Sequence, residues 1–170
     1  MKLATISALL AVGSCFCVSI ATAATCNTTL GPISSTSTVS GNNCGNNPNF
    51  NSITYCNQVP TSSTGTDAWA IQLGANQNFT FTVTSPGTAG GTAFTPDIGL
   101  LSTACADNSP CVNENTNGTG TVTSGTISGQ AAGTYYIIVT DSGGVAPGCG
   151  PYDLSFTGTL PVKLETFSVE

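Results

Sequence analysis

The chain has no histidine and no arginine, and its only basic residues are Lys2 and Lys163. Without His, the usual general base near neutral pH is missing, and with it any Ser-His or Cys-His relay. Without Arg there is no bidentate clamp for phosphate or carboxylate. Binding nucleic acid requires Lys or Arg to displace counterions, so nucleic acid is excluded as a partner. Anionic membrane surfaces are excluded for the same reason. Charged residues make up only 6% of the chain, and eight carboxylates leave a net charge of −6. Solubility therefore rests on hydroxyls and amides. No window carries a 3.6-residue apolar period, so no helix is expected outside the N-terminus.

The N-terminus holds the one long apolar stretch. Lys2 supplies a minimal positive region, residues 3–20 are apolar apart from small polar residues, and Ala21-Thr22-Ala23 offers a small-residue cleavage site. This is the pattern of an export signal, with the mature chain starting near residue 25. Gly13, Ser14 and Ser19 make the stretch a poor membrane anchor. A lipoprotein signal at Cys15 fits less well, because apolar sequence continues to Ile20. After leader removal no segment could span a bilayer. The expected organisation is a leader over residues 1–24, one domain over 25–160, and a last strand or tail over 161–170.

Cysteine usage agrees with export. Cys15 and Cys17 leave with the leader, and Cys26, Cys44, Cys56, Cys105, Cys111 and Cys149 remain as an even set. Sequence alone does not fix their connectivity. Locality favours Cys105–Cys111 and Cys44–Cys56, which leaves Cys26–Cys149 to tie the start of the domain to its end. With no His and no paired C-x-x-C, a zinc site is disfavoured.

The body of the chain reads as strands. Residues 67–73 alternate, with Trp69, Ile71 and Leu73 on one face. Residues 77–85 place Phe79, Phe81 and Val83 inward and Asn78, Thr80, Thr82 and Thr84 outward. Between them Gly74-Ala75-Asn76 is a hairpin-length turn. Residues 33–40, 97–101 and 120–128 are further strands. Residues 134–140 are apolar or aromatic on both faces, which predicts a central strand covered on both sides. Tyr135, Ile137 and Val139 should form its core face and Tyr136 and Ile138 the other. Tyr152, Leu154 and Phe156 alternate in the strand that follows. About eight short antiparallel strands with Gly/Asn/Pro turns make an all-β sandwich. Patterning does not choose between jelly-roll and immunoglobulin-like topology.

Several runs together resemble a known family. They are Asp67-Ala68-Trp69, Asp97-Ile98-Gly99-Leu100, Gly133-Thr134-Tyr135-Tyr136-Ile137-Ile138-Val139, and Tyr152-Asp153-Leu154. In this order they resemble the bacterial pre-peptidase C-terminal domain over roughly residues 62–160. The resemblance implies a jelly-roll-like sandwich without catalytic residues, usually appended to a secreted hydrolase. One domain's length of chain after the leader makes a stand-alone member the expectation.

A few residues invite a functional reading. Asp107, Asn108, Asn113 and Glu114 surround the Cys105/Cys111 region and offer hard oxygen ligands suited to Ca²⁺, although their spacing does not match an EF-hand loop. No other cofactor is expected. Phe50 and Tyr55, in an Asn-rich loop, are candidate surface contacts. Trp69 could stack on a sugar, but its phase with Ile71 and Leu73 places it in the core. No carboxylate pair sits in a context that would raise one acid's pKa, so an enzyme is not expected. The sequence supports a secreted non-catalytic binding or accessory module contacting extracellular polysaccharide or protein. The alternative is a cell-surface protein that self-associates through strand edges.

Overall fold

The structure is a computed structural model that describes residues 30–33, 38–44, 56, 65–86, 94–102, 104–106, 109–116, 120–142 and 148–160. The expected leader, Phe50, Tyr55, Asp107, Asn108 and the expected 161–170 strand or tail lie outside the described residues. No described helix is long and apolar enough to cross a membrane.

Nine strands are described: β1 Leu30–Ile33, β2 Val39–Asn42, β3 Thr66–Leu73, β4 Phe79–Thr84, β5 Pro96–Ser102, β6 Cys111–Thr116, β7 Thr121–Thr123, β8 Gly133–Asp141 and β9 Pro151–Gly158. They form a five-stranded sheet, β1-β3-β8-β5-β6, and a four-stranded sheet, β2-β9-β4-β7. Every connection except β5 to β6 crosses from one sheet to the other, as expected of a jelly-roll-like sandwich. The 74–76 turn is therefore not a hairpin: β3 and β4 belong to different sheets. Asn76 takes a left-handed φ of 58° there, and the Gln77 side chain accepts from the Gly74 amide at 2.8 Å.

The strand expected over 33–40 is two strands in different sheets. β1 shares only Ile33 with the expected span and β2 only Val39 and Ser40; β1 runs parallel to β3, so the sandwich is not wholly antiparallel. β6 was not anticipated, because Cys-Val-Asn-Glu-Asn-Thr lacks an apolar alternation. The strand expected over 120–128 shortens to β7, with Ile127 making an isolated bridge to Phe79.

Between the sheets lies one large apolar cluster. From the five-stranded sheet come Trp69, Ile71, Ile98, Leu100, Tyr135, Ile137 and Val139; from the four-stranded sheet come Phe79, Phe81, Val83, Tyr152, Leu154 and Phe156. Burying one such side chain stabilises the fold by about 1.5–3 kcal/mol. The two-faced reading of β8 holds. Ile138 turns away from the main core into a smaller cluster with Ala68, Leu101, Cys56 and Cys105, against which Tyr136 packs. Ile137 and Ile138 are both fully buried.

The expected disulfides are corrected. Cys44 pairs with Cys149, not with Cys56, so Cys149 is not the partner of Cys26. Cys111 pairs with Cys56, not with Cys105. Sheet pairing is the reason. β2 and β9 run antiparallel with Asn42 opposite Pro151, and their extensions meet where the Asn43 amide donates to the Gly150 carbonyl at 3.2 Å. That places Cys44 and Cys149 4.9 Å apart at Cα across 105 residues of chain. Cys111 opens β6 opposite Leu101, under Cys56 on the outer face of the five-stranded sheet. Cys105 is also disulfide-bonded, to a partner outside the described residues.

Candidate functional site

Three polar regions stand out, and two of them are structural. The first is inside the sandwich. Trp69 takes the core phase that its spacing predicts, so its indole N–H needs a buried acceptor. Tyr152, on the facing sheet, provides it: Trp69 Nε1 donates to the Tyr152 hydroxyl at 2.6 Å. The hydroxyl in turn donates to Asp67 Oδ2 at 2.6 Å. The Phe94 ring packs edge-on against Tyr152, with centroids 6.3 Å apart. Gly41 lies opposite Tyr152 in the register, and a Cβ there would collide with the phenol ring.

Burial, then the charge of Asp67 and the hydrogen bond to it, push the Tyr152 ionisation far above its ordinary value of 10.0. A phenol held protonated in this way ties the two sheets together; it is not a base or a nucleophile. The unfolded chain would release this proton near pH 10 while the folded chain keeps it. The contribution is therefore fully present below pH 10 and is lost as pH rises beyond it. Stability should fall by about 1.4 kcal/mol per pH unit there on account of Tyr152. Urea melts between about pH 9 and 11 check this, with Tyr152→Phe expected to remove that part of the slope. An unchanged slope in the variant would contradict the assignment.

The second region is the outer face of the five-stranded sheet. Thr66 and Thr140 share a hydrogen bond at 2.9 Å, and Thr140 donates to the Gly65 carbonyl at 3.1 Å. Farther along, the face is apolar and lies under Cys56 and Cys105. Of the four calcium candidates, Asn113 and Glu114 are described and Asp107 and Asn108 are not. Asn113 and Glu114 are neighbours on β6 and so point to opposite faces. Asn113 Oδ1 accepts from the Gly125 amide at 3.2 Å, and Asn115 donates to the Thr123 carbonyl at 2.5 Å. These two amides stitch the β6 edge to β7 of the other sheet and to Gly125 just beyond it. Among the described residues, no three His, Cys, Asp or Glu side chains come together as a metal set.

The third region is the outer face of the four-stranded sheet, whose outward residues are half-buried on β4 and exposed toward its edges. On β9 the inward Tyr152, Leu154 and Phe156 leave Asp153, Ser155 and Thr157 outside. On β4 the inward Phe79, Phe81 and Val83 leave Thr80, Thr82 and Thr84 outside. On β7 the inward Val122 leaves Thr121 and Thr123. The registers align these into cross-strand rows: Ser40–Asp153–Thr84–Thr121, then Ser155–Thr82–Thr123, then Thr157–Thr80. Ser40 donates to Asp153 Oδ1 at 2.6 Å, and the Thr82 and Thr123 hydroxyls are 2.9 Å apart. No aromatic ring and no basic group belongs to these rows. Such a surface can donate and accept hydrogen bonds but carries no reactive set. The sequence places Thr80, Thr82 and Thr84 outward correctly; what it does not show is that β7 and β9 extend them into one surface.

No protein-family model matches the chain, and no curated protein matches it. Among solved structures, it is similar to the pre-peptidase C-terminal domain of a collagenase from Bacillus anthracis. The identity is 16%, the match covers 75% of this chain and 93% of that one, and the TM-score is 0.47. That domain is of the family that the strand motifs resemble.

Proposed function

We propose that this chain is an exported, non-catalytic binding module that contacts an extracellular polysaccharide through the outer face of its four-stranded sheet. The observation that carries the reading is the contrast between the two sheets. The outer face of the five-stranded sheet is partly covered and stapled by a disulfide. The other carries aligned rows of half-buried and exposed hydroxyls. Disulfides and the N-terminal signal pattern support export. The lack of His and Arg in the sequence supports a role without catalysis. A net charge of −6 and a carboxylate on the face disfavour anionic polymers and favour a neutral, hydroxyl-rich one.

Self-assembly through strand edges is less favoured. One pair of edges, β6 and β7, is bound to itself by Asn113 and Asn115. The test is retention of the purified chain by a panel of insoluble neutral, carboxylated, sulfated and amino-bearing polysaccharides at moderate salt. Retention by a neutral member and not by the anionic ones is expected. Retention confined to amino-bearing polymers and lost at high salt would mark simple charge attraction and overturn the reading.

A further inference from the structure

We infer that the paired threonines of β4 and β7 make this face a reader of packed, ordered neutral polysaccharide and not of the single dissolved chain. The inference rests on the polysaccharide reading above and adds the physical state of the ligand. Thr82 stands opposite Thr123 and Thr84 opposite Thr121, and Ser155 continues the Thr82 row onto β9. Sheet geometry sets the residues that carry these hydroxyls roughly 6.6–6.8 Å apart along a strand and about 4.8 Å apart between strands.

Three features tie this grid to a repeating solid. First, the grid is rigid. The inward side chains beneath it, Phe81 and Val83, are fully buried, so β4 is held from below. The Thr82 and Thr123 hydroxyls hold one another at 2.9 Å, which limits their rotation. Second, the hydroxyls are individually weak. A hydroxyl that leaves water for a sugar hydroxyl gains little net free energy. The rows hold no aromatic platform on which one ring could stack, and the carboxylate among them, Asp153, already accepts from Ser40. A flexible chain would also lose conformational freedom on lying along the strands. Third, a packed array of chains has already lost that freedom. It offers its hydroxyls at a fixed repeat, so several rungs engage together and add as linked sites do. A face without cations among its described residues, on a chain of net charge −6, selects a neutral array over an anionic one.

The experiment uses one polymer in two states: microcrystalline cellulose, and soluble cello-oligosaccharides of the same linkage, with crystalline chitin and chitin oligosaccharides as a second pair. Depletion of the protein by a crystalline solid is expected, with no competition from the matching soluble oligosaccharide. Thr82→Val/Thr123→Val keeps β-branched shape and removes two rungs; it should lower partitioning at least about tenfold at unchanged melting temperature. Thr82→Ser/Thr123→Ser, which keeps the hydroxyls, should retain binding. If the valine variant also melts early, the serine variant and the competition arm decide. Equal binding of soluble oligosaccharide, or full binding by the valine variant, would overturn the ordered-array inference and leave the polysaccharide reading standing. Binding to neither state of either polymer would overturn this inference. If the wider neutral panel also failed to retain the chain, the polysaccharide reading would fall with it.

Discussion

Ile137→Ala is expected to destabilise the folded chain by about 2–5 kcal/mol, among the largest effects of any single core truncation here. Ile137 is fully buried in the middle of β8 and paired with Trp69 on one side and Leu100 on the other. The cavity left by the truncation would be walled by two sheets that cannot close on it. Ile138→Ala is expected to cost less, although Ile138 is equally buried. Its neighbours are Ala68, Leu101 and the cysteine-bearing cover, which can settle toward the missing side chain. Urea melts of both variants check this. A larger loss for Ile138→Ala would mean that the outer cluster, not the sandwich interior, is the better-packed core.

Removing the Cys56–Cys111 link as Cys56→Ser/Cys111→Ser should cost about 2–4 kcal/mol. The link spans 55 residues and fastens Cys56 over Leu101 and Ile138. The damage should be local. A dye that binds exposed apolar surface should report the uncovered outer face while Trp69 fluorescence stays that of a buried indole. The effect should also couple to Ile138→Ala and add independently to Ile137→Ala, since only the first shares its contacts. A peptide map of the oxidised protein should join Cys44 to Cys149 and Cys56 to Cys111. Once a leader containing Cys15 and Cys17 is removed, Cys26 is the cysteine that remains for Cys105. A peptide joining Cys105 to Cys111 would refute the arrangement.

The strands that alternate cleanly were legible: β4 and β9 through Phe79, Phe81 and Val83 and through Tyr152, Leu154 and Phe156. β8 was legible for the opposite reason, since a run apolar on both faces needs cover on both. The cysteine pairs were not. Proximity along the chain is a poor guide when antiparallel pairing of β2 with β9 brings residues 105 apart into contact. β6 escaped because its Asn side chains do not fill a core; they bind the backbone of β7 and of Gly125 just beyond it. Trp69 was placed in the core, yet its partner was missed, although a buried indole N–H requires an acceptor and Tyr152 lies in the facing sheet. The hydroxyl face was half legible. Each outward Thr of β4 could be read from period two, but one outward threonine looks like any other. The face exists only through the registers that align β4 with β7 and β9.

The claim that the four-stranded sheet carries the binding surface is tested most directly by placing one carboxylate on each side of the sandwich. Thr82→Glu charges the hydroxyl face; Gln72→Glu charges an exposed position of the five-stranded sheet. Both variants should fold, and retention by an insoluble neutral polysaccharide that holds the wild-type chain is compared. Loss of retention with Thr82→Glu and wild-type retention with Gln72→Glu is the predicted result. Retention lost with Gln72→Glu and kept with Thr82→Glu would put the binding surface on the wrong sheet and contradict the account.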